Sequence, residues 1–543
     1  MAAPATAEKG SSWVVSMIVL ITGMFMSLLD TSIINVALPT MANDFGVDID
    51  RIEWVVTAYN LALGVVVPLS GWLADRVGMA RVYLWAMVAF SLVSGLCGLA
   101  WSLESEVVFR VLQAVPGGVL PVVTLMMVYV IVPREKLGAA MGMYGVGIAV
   151  APAIGPTLGG YLVEFVDWRL VFFINVPIGL VGAVAAYALL APMPPTSTRR
   201  FDTWGFLTIA FGLFALLLAC SEGNSWGWTS YPVMILLVSG VLSLALFVVI
   251  QGEIDEPLID LRVFLHWPFV NSLLLISVLS VGLFAMLIYL PIFMQEGQGI
   301  APLRTGLLLL PEALVIAFCM PIAGMIYDRF GPRWPATIGL AIAAYGTWLL
   351  THISPSTTEG DIIWWTCVRA VGNGLALMPI FTAGLAAIPK AYASSGSTMN
   401  NIAQRMAGSI GVAALTLVVT TQRDQLLADR TALMPAAGAE FAPYAAQGAA
   451  GVYPLYQQLR TEVLASAYAD AFLVVTGLTV VGIVLALLMH KPPEEEPTTL
   501  GASAVEPAAP GSGGNGDGRA PGSANGHRRV PADEAEREPS HTR

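Results

Sequence analysis

The sequence predicts an all-α integral membrane protein: fourteen transmembrane helices, as two six-helix bundles related by an internal repeat, plus two inserted helices. Three observations lead there. The 543 residues are 56% hydrophobic and only 12% charged, with a mean hydropathy of +0.73, a balance that soluble domains do not reach. Apolar runs long enough to cross a bilayer fall near 14–38, 54–74, 82–101, 107–131, 138–163, 170–190, 204–222, 231–250, 269–293, 303–326, 335–352, 363–388, 399–421 and 468–490. Finally, landmarks recur at a nearly constant offset. Leu38-Pro39 returns as Leu290-Pro291 after 252 positions, Asp75-Arg76 with Gly78 as Asp328-Arg329 with Gly331 after 253, and Arg110 as Arg369 after 259.

The chain divides accordingly. Residues 1–13 form an N-terminal segment, 14–190 the first six-helix bundle, 204–250 the inserted helices, 251–268 a polar linker, and 269–490 the second bundle, interrupted by a loop at 422–466. The tail 491–543 opens on Pro492-Pro493-Glu494-Glu495-Glu496-Pro497 and continues in Gly, Ala, Ser and Pro, too poor in large apolar residues to fold, so disorder is expected. Orientation follows from Lys and Arg. With the N-terminus in the cytoplasm, ten basic residues (Arg76, Arg81, Arg134, Lys136, Arg199, Arg200, Arg262, Arg329, Arg333, Lys390) lie in inner loops, and three (Arg51, Arg169, Arg304) in short outer ones. Both termini are therefore expected in the cytoplasm, with residues 422–466 outside.

Few charges lie inside the spans. Asp30 sits well within the first apolar run, where an aspartate costs about 2.5–3.5 kcal/mol on insertion scales and normally faces a bundle interior or cavity. Span one runs outward and ends near Leu38, placing Asp30 ~12 Å below its outer end; Arg110 on span four lies ~5 Å below the same face. A long guanidinium side chain can close that gap. Burial favours the neutral form of Asp30 and a nearby guanidinium favours the carboxylate, so a pair that separates and re-forms would take up and release a proton. A purely structural, neutralised carboxylate remains the alternative. Glu312 lies ~14 Å into span ten, at a depth similar to Asp30. It either attracts a cation or shares the proton, or it pairs with an arginine and holds the fold. Arg369 and Arg405 are the other deep charges, Arg405 on a polar stripe with Asn400 and Asn401. On span five, Gly147, Ala151, Gly155 and Gly159 recur every four residues, one smooth helix face for close packing, with bends expected at Pro152 and Pro156.

Strung together, these features resemble a family. Leu29-Asp30-Thr31 through Asn35-Val36-Ala37-Leu38-Pro39, Gly71-Trp72-Leu73-Ala74-Asp75-Arg76-Val77-Gly78, Arg110-Val111-Leu112-Gln113, Gly155-Pro156-Thr157-Leu158-Gly159-Gly160, Asp167-Trp168-Arg169 and Ile174-Asn175-Val176-Pro177-Ile178-Gly179 occur in order on fourteen spans. From about Met17 to His490 the chain is similar to the major facilitator superfamily, specifically its fourteen-helix drug:proton antiporter branch. Three departures stand out: Met79-Ala80 before Arg81, Ala114-Val115-Pro116 after Gln113, and Glu312 after Leu310-Pro311.

The resemblance implies a proton-coupled exporter of amphipathic or cationic drugs in the plasma membrane, working by alternating access. From burial and depth together with these motifs, Asp30, Arg110, Glu312, Asn35 and Arg369 are the expected proton and substrate residues. Gly71, Asp75, Arg76, Gly78 and Arg81 would form an inner gate, and Gly147, Ala151, Gly155, Pro156, Gly159 and Gly160 the helix that closes the cavity to leakage. An exporter of lipids or endogenous metabolites is the alternative on the same fold, and a membrane-bound enzyme the remote one. Partners are expected to be the small-molecule substrate, protons and membrane lipids, with the chain acting as a monomer. No cofactor is expected. The net charge of −11 gives no reason for nucleic-acid binding. None of the four lysines follows the glycine of a phosphate loop. No histidine lies mid-span, and the four cysteines are widely separated with no metal spacing, so intramembrane metal binding and His-based acid–base chemistry lack their parts.

Overall fold

The computed structural model describes residues 13–133, 136–195, 200–389, 392–432 and 449–489. Fourteen long helices account for almost all of them: α1 (Trp13–Phe45), α2 (Trp54–Val77), α3 (Met79–Gly98), α4 (Leu103–Ile131), α5 (Leu137–Phe165), α6 (Asn175–Leu189), α7 (Thr203–Trp226), α8 (Tyr231–Glu253), α9 (Trp267–Ile292), α10 (Pro302–Phe330), α11 (Arg333–Leu349), α12 (Glu359–Ala386), α13 (Ala393–Ala432) and α14 (Ala449–Leu487). Thirteen are long and apolar enough to cross a membrane. The fourteenth, α11, has 17 residues and is prolonged by the tight turn Leu350–His352, which together match the run expected at 335–352.

Local chemistry sets the ends. Ser102 accepts from the Ser105 amide while the Ser105 hydroxyl accepts from the Ser102 amide, closing the start of α4 reciprocally. Asp202 caps α7 by accepting from Gly205, and Gln251 at the end of α8 donates to the same carboxylate, tying the inserted pair together. Pro39, Pro116, Pro121, Pro152 and Pro156 lie inside helices that continue past them. Two turns need backbone that only glycine adopts freely, and both recur. Gly46 (φ 66°) and Gly299 (φ 69°) follow α1 and α9; Gly78 (φ 101°) and Gly331 (φ 75°) join α2 to α3 and α10 to α11. Each pair is 253 positions apart, so the repeat extends to turn geometry.

Packing repeats as well. α1 touches α4, α5 and α6 as α9 touches α12, α13 and α14. Likewise α2 and α3 both pack on α4, as α10 and α11 pack on α12. The two sets meet through α5 against α10 and α13 against α2, again an exchange of equivalents. α7 packs on α8, α2 and α13, while α8 leaves Ile235, Val238, Val241, Leu242, Val248 and Val249 exposed, as an apolar stripe against lipid tails would be.

The segment 422–466 is not wholly a loop. α13 runs to Ala432 and α14 begins at Ala449, so helix covers both ends of the stretch. Residues 433–448 lie outside the described residues, as do residues 1–12 and the tail expected to be disordered.

Candidate functional site

Asp30 and Arg110 meet. Asp30 is 1% exposed and Arg110 fully buried, and Arg110 Nη1 donates to Asp30 Oδ2 at 2.6 Å. The other carboxylate oxygen, Oδ1, accepts from Gln113 Nε2 (3.1 Å) and Asn175 Nδ2 (2.9 Å). Arg110 Nη1 also donates to Gln113 Oε1 at 2.7 Å, one helical turn below. Its guanidinium lies 3.8 Å over the Tyr59 ring, and Nε reaches the Val55 carbonyl at 3.4 Å. Ser94 accepts from Asn175 and donates to the Phe172 carbonyl. Helices α1, α2, α3, α4 and α6 thus all contribute, and a buried charge pair with this many hydrogen bonds is held in one geometry.

Gln113 and Asn175 belong to the strings Arg110–Gln113 and Ile174–Gly179, but nothing in those strings marks them as site residues; their amides, on separate helices, converge only in three dimensions. Asn35, by contrast, is exposed on α1. Five residues along a helix turn the side chain about 140° away from Asp30 at 100° per residue, so Asn35 stands apart from the Asp30–Arg110 pair.

In the second half, Arg369 on α12 forms an ion pair with Glu312 on α10. Their side chains are 5% and 11% exposed, and Arg369 Nε has no hydrogen-bond partner. The pair spans α10 and α12, whose equivalents in the first half are α2 and α4, so Glu312 does not replicate Asp30. Arg405 on α13 lines a small space among Gly64, Val67, Leu213, Leu217, Ile402 and Met406.

Lys136 and Trp13 lie together on one face of the bundle, here the terminal face. At this face the two halves are joined by hydrogen bonds. Ser394 Oγ at the start of α13 donates to Asp75 Oδ2 at the end of α2 (2.8 Å), and the Gly138 amide at the start of α5 donates to Asp328 Oδ1 at the end of α10 (3.0 Å). Each aspartate therefore meets the N-terminal turn of a helix from the other half, where amide donors and the helix dipole favour an anion. Deeper in, Ser397 donates to the Val122 carbonyl and Tyr129 to that of Thr382. Gly71 is needed for approach: an added Cβ would lie 3.0 Å from Thr398 Oγ1 and 3.5 Å from Ser394 Cβ. Gly78 makes the positive-φ turn directly after, packed against the Met193 carbonyl, while Arg76 and Arg81 are exposed.

On α5 the small residues do two jobs. Gly147, Gly155 and Gly159 lie against Ile21, Met24, Ser32 and Ile33 of α1, with Ala151 fully buried between them. Ser32 Oγ donates to the Pro152 carbonyl there. Pro156 and Gly160 turn to α10, near Gly306 and Leu303. A second smooth face, Gly138, Gly142 and Gly145, went unremarked in the sequence; it packs on Gly324, Pro321 and Met320 of α10. Its spacing of four and three residues was the available signal.

Comparison with known proteins follows the same outline. Residues 20–412 match the family model described as Major Facilitator Superfamily. The chain is 36% identical over 406 residues to the uncharacterized MFS-type transporter YhcA of Bacillus subtilis, covering 75% of this chain and 76% of that one. It is 30% identical over 486 residues to a multidrug resistance protein B homolog of Mycobacterium tuberculosis, covering 86% and 88%. Among solved structures, the human organic anion transporter MFSD10 (TETRAN) superposes with a TM-score of 0.57 at 13% identity, over 88% of this chain and 99% of that one, a likeness of fold.

Proposed function

This chain belongs to the major facilitator superfamily, and from that premise we propose that it is a multidrug efflux transporter driven by proton antiport. It exports amphipathic or cationic compounds by alternating access of its two six-helix halves. The observation that carries this reading is the buried Asp30–Arg110 pair at 2.6 Å, with Gln113 and Asn175 holding the second carboxylate oxygen. A carboxylate so placed has two stable situations: ionised against Arg110, or protonated with the guanidinium withdrawn. Coupling the exchange between them to the rocking of the halves moves one proton per cycle. The multidrug resistance name of the mycobacterial relative supports the choice of cargo.

The protein sits in the plasma membrane as a monomer, with the terminal face in the cytoplasm, in keeping with the Lys and Arg bias of its loops. The present state is then closed on the cytoplasmic side by the Asp75–Ser394 and Asp328–Gly138 contacts. Opening inward breaks both, and the two aspartates act as paired latches. Glu312 and Arg369 stabilise the second half.

The test is ethidium efflux from an efflux-deficient host expressing this chain, with and without a protonophore. Efflux above the empty-vector control that the protonophore stops is the expected result. Efflux that persists in its presence removes the proton from the mechanism, and no efflux for a panel of cationic and amphipathic dyes removes the cargo.

A further inference from the structure

Glu106 is the charge that the site described so far leaves unused. It lies on α4 one turn before Arg110, is fully buried, and among the described residues neither of its carboxylate oxygens has a hydrogen-bond partner. Arg110 Nη2, one turn further along the same helix, is also buried without a partner. Residues four apart on a helix are side-chain neighbours, so the orphaned acceptors and the orphaned donor belong to adjacent positions. An unpaired ionised carboxylate inside a bundle carries a heavy desolvation penalty, while a neutral acid carries a much smaller one. The other titratable groups acting on this region are Asp30 from α1, Cys97 from α3 and Tyr59 from α2, which stacks on Arg110.

Building on the proton-coupled reading above, we propose that Glu106 is a second proton-carrying residue, the outer member of a two-carboxylate relay that exchanges Arg110. In the state seen here Glu106 is the neutral acid and Asp30 the anion bound to Arg110. The step passes one proton from the Glu106 carboxyl to the Asp30 carboxylate, and the guanidinium turns from Asp30 to the Glu106 anion through Nη2. One proton and one unit of negative charge are shared by the two acids before and after, so this transfer leaves the buried net charge unchanged. Glu106 stands ~6 Å nearer the far face than Arg110, the side from which an antiporter's protons enter. It is reloaded from that side, and Asp30 discharges toward the terminal face.

The experiment uses the purified full-length protein and two readouts. Infrared difference spectroscopy in lipid at neutral pH should show a protonated-carboxyl C=O band that disappears in Glu106→Gln. In proteoliposomes, pH-gradient-driven ethidium transport should fall in Glu106→Gln to the protonophore-treated level, and Glu106→Asp should restore part of it with a displaced pH optimum. A band that survives Glu106→Gln, or a Glu106→Gln variant with wild-type drive and pH profile, overturns the proposal. If Glu106→Gln does not elute as wild type on gel filtration, the decision passes to Glu106→Asp, whose band must shift in frequency; an unshifted band rejects the relay. Should the wild type not move ethidium at all, the efflux reading fails while the infrared comparison still decides whether Glu106 carries a proton.

Discussion

Each half of the molecule buries one carboxylate against one arginine, and the two pairs are built differently. Arg110 and Arg369 occupy equivalent helices, α4 and α12. Their acids do not: Asp30 stands on α1, whereas Glu312 stands on α10, the counterpart of α2, and the positions 252 and 253 residues after Asp30 are Gly282 and Leu283. Asp30 is saturated by Arg110, Gln113 and Asn175, while Glu312 is hydrogen-bonded among the described residues to Arg369 alone. A repeated scaffold has kept its cation and moved its anion. Where the surrounding amides are aimed at a carboxylate, the site is specific for that carboxylate; where the pair stands alone, only opposite charge is required.

The sharpest way to break this contrast is at Asp30. Asp30→Asn should abolish protonophore-sensitive efflux at unchanged protein level, and Arg110→Ala, which strands the buried acid, should lower stability by about 3–5 kcal/mol in a denaturant or thermal melt. Next comes exchange of the partners. Glu312→Arg or Arg369→Glu alone should destabilise the second half. The double exchange should recover about 1–3 kcal/mol of coupling in a double-mutant cycle. The same exchange at Asp30 and Arg110 should recover nothing, because the Gln113 and Asn175 amides would then face a cation. Equal rescue in both halves would erase the distinction. A comparable but purely steric effect is expected at Gly155: an alanine Cβ would lie 2.5 Å from Ser32 Oγ and 3.1 Å from the Ile33 amide. That crowding should cost about 1–3 kcal/mol, measured as a lower melting temperature. The smallest effect belongs to Asn35, exposed and away from both pairs; Asn35→Ala should change stability by less than about 0.5 kcal/mol and leave dye efflux unaltered.

Much of this was legible beforehand. Helices announced themselves by apolar run length, since a bilayer fixes how long such a run must be, and even the short α11 falls where its run predicts. Depth made the Asp30–Arg110 meeting possible, because a long arginine side chain can span the ~7 Å difference in height between the two positions. What depth does not give is azimuth. Asn35 belongs to the same string of residues as Asp30 yet faces elsewhere, and Asn175 reaches Asp30 from a helix 145 positions away. Glu106 was hidden for another reason. It follows Glu104 at the mouth of a span, where acids are normally solvated; Glu104 is exposed, but Glu106 is rotated inward and buried. The long ends of α13 and α14 are not legible because their polar composition carries no span signal, and Pro454 within α14 argues against helix there.

Consider, finally, the face of α5 formed by Gly138, Gly142 and Gly145. Interlocking side chains would hold two helices like gear teeth, and every degree of tilt would have to unseat them. Here backbone lies on backbone against Gly324 and Pro321, with the unbranched Met320 filling the remainder. Such a contact behaves as a plain bearing. Under the alternating access proposed above, such a seam lets one half pivot on the other at small enthalpic cost, and side chains added along it are expected to jam the motion before they unfold the protein.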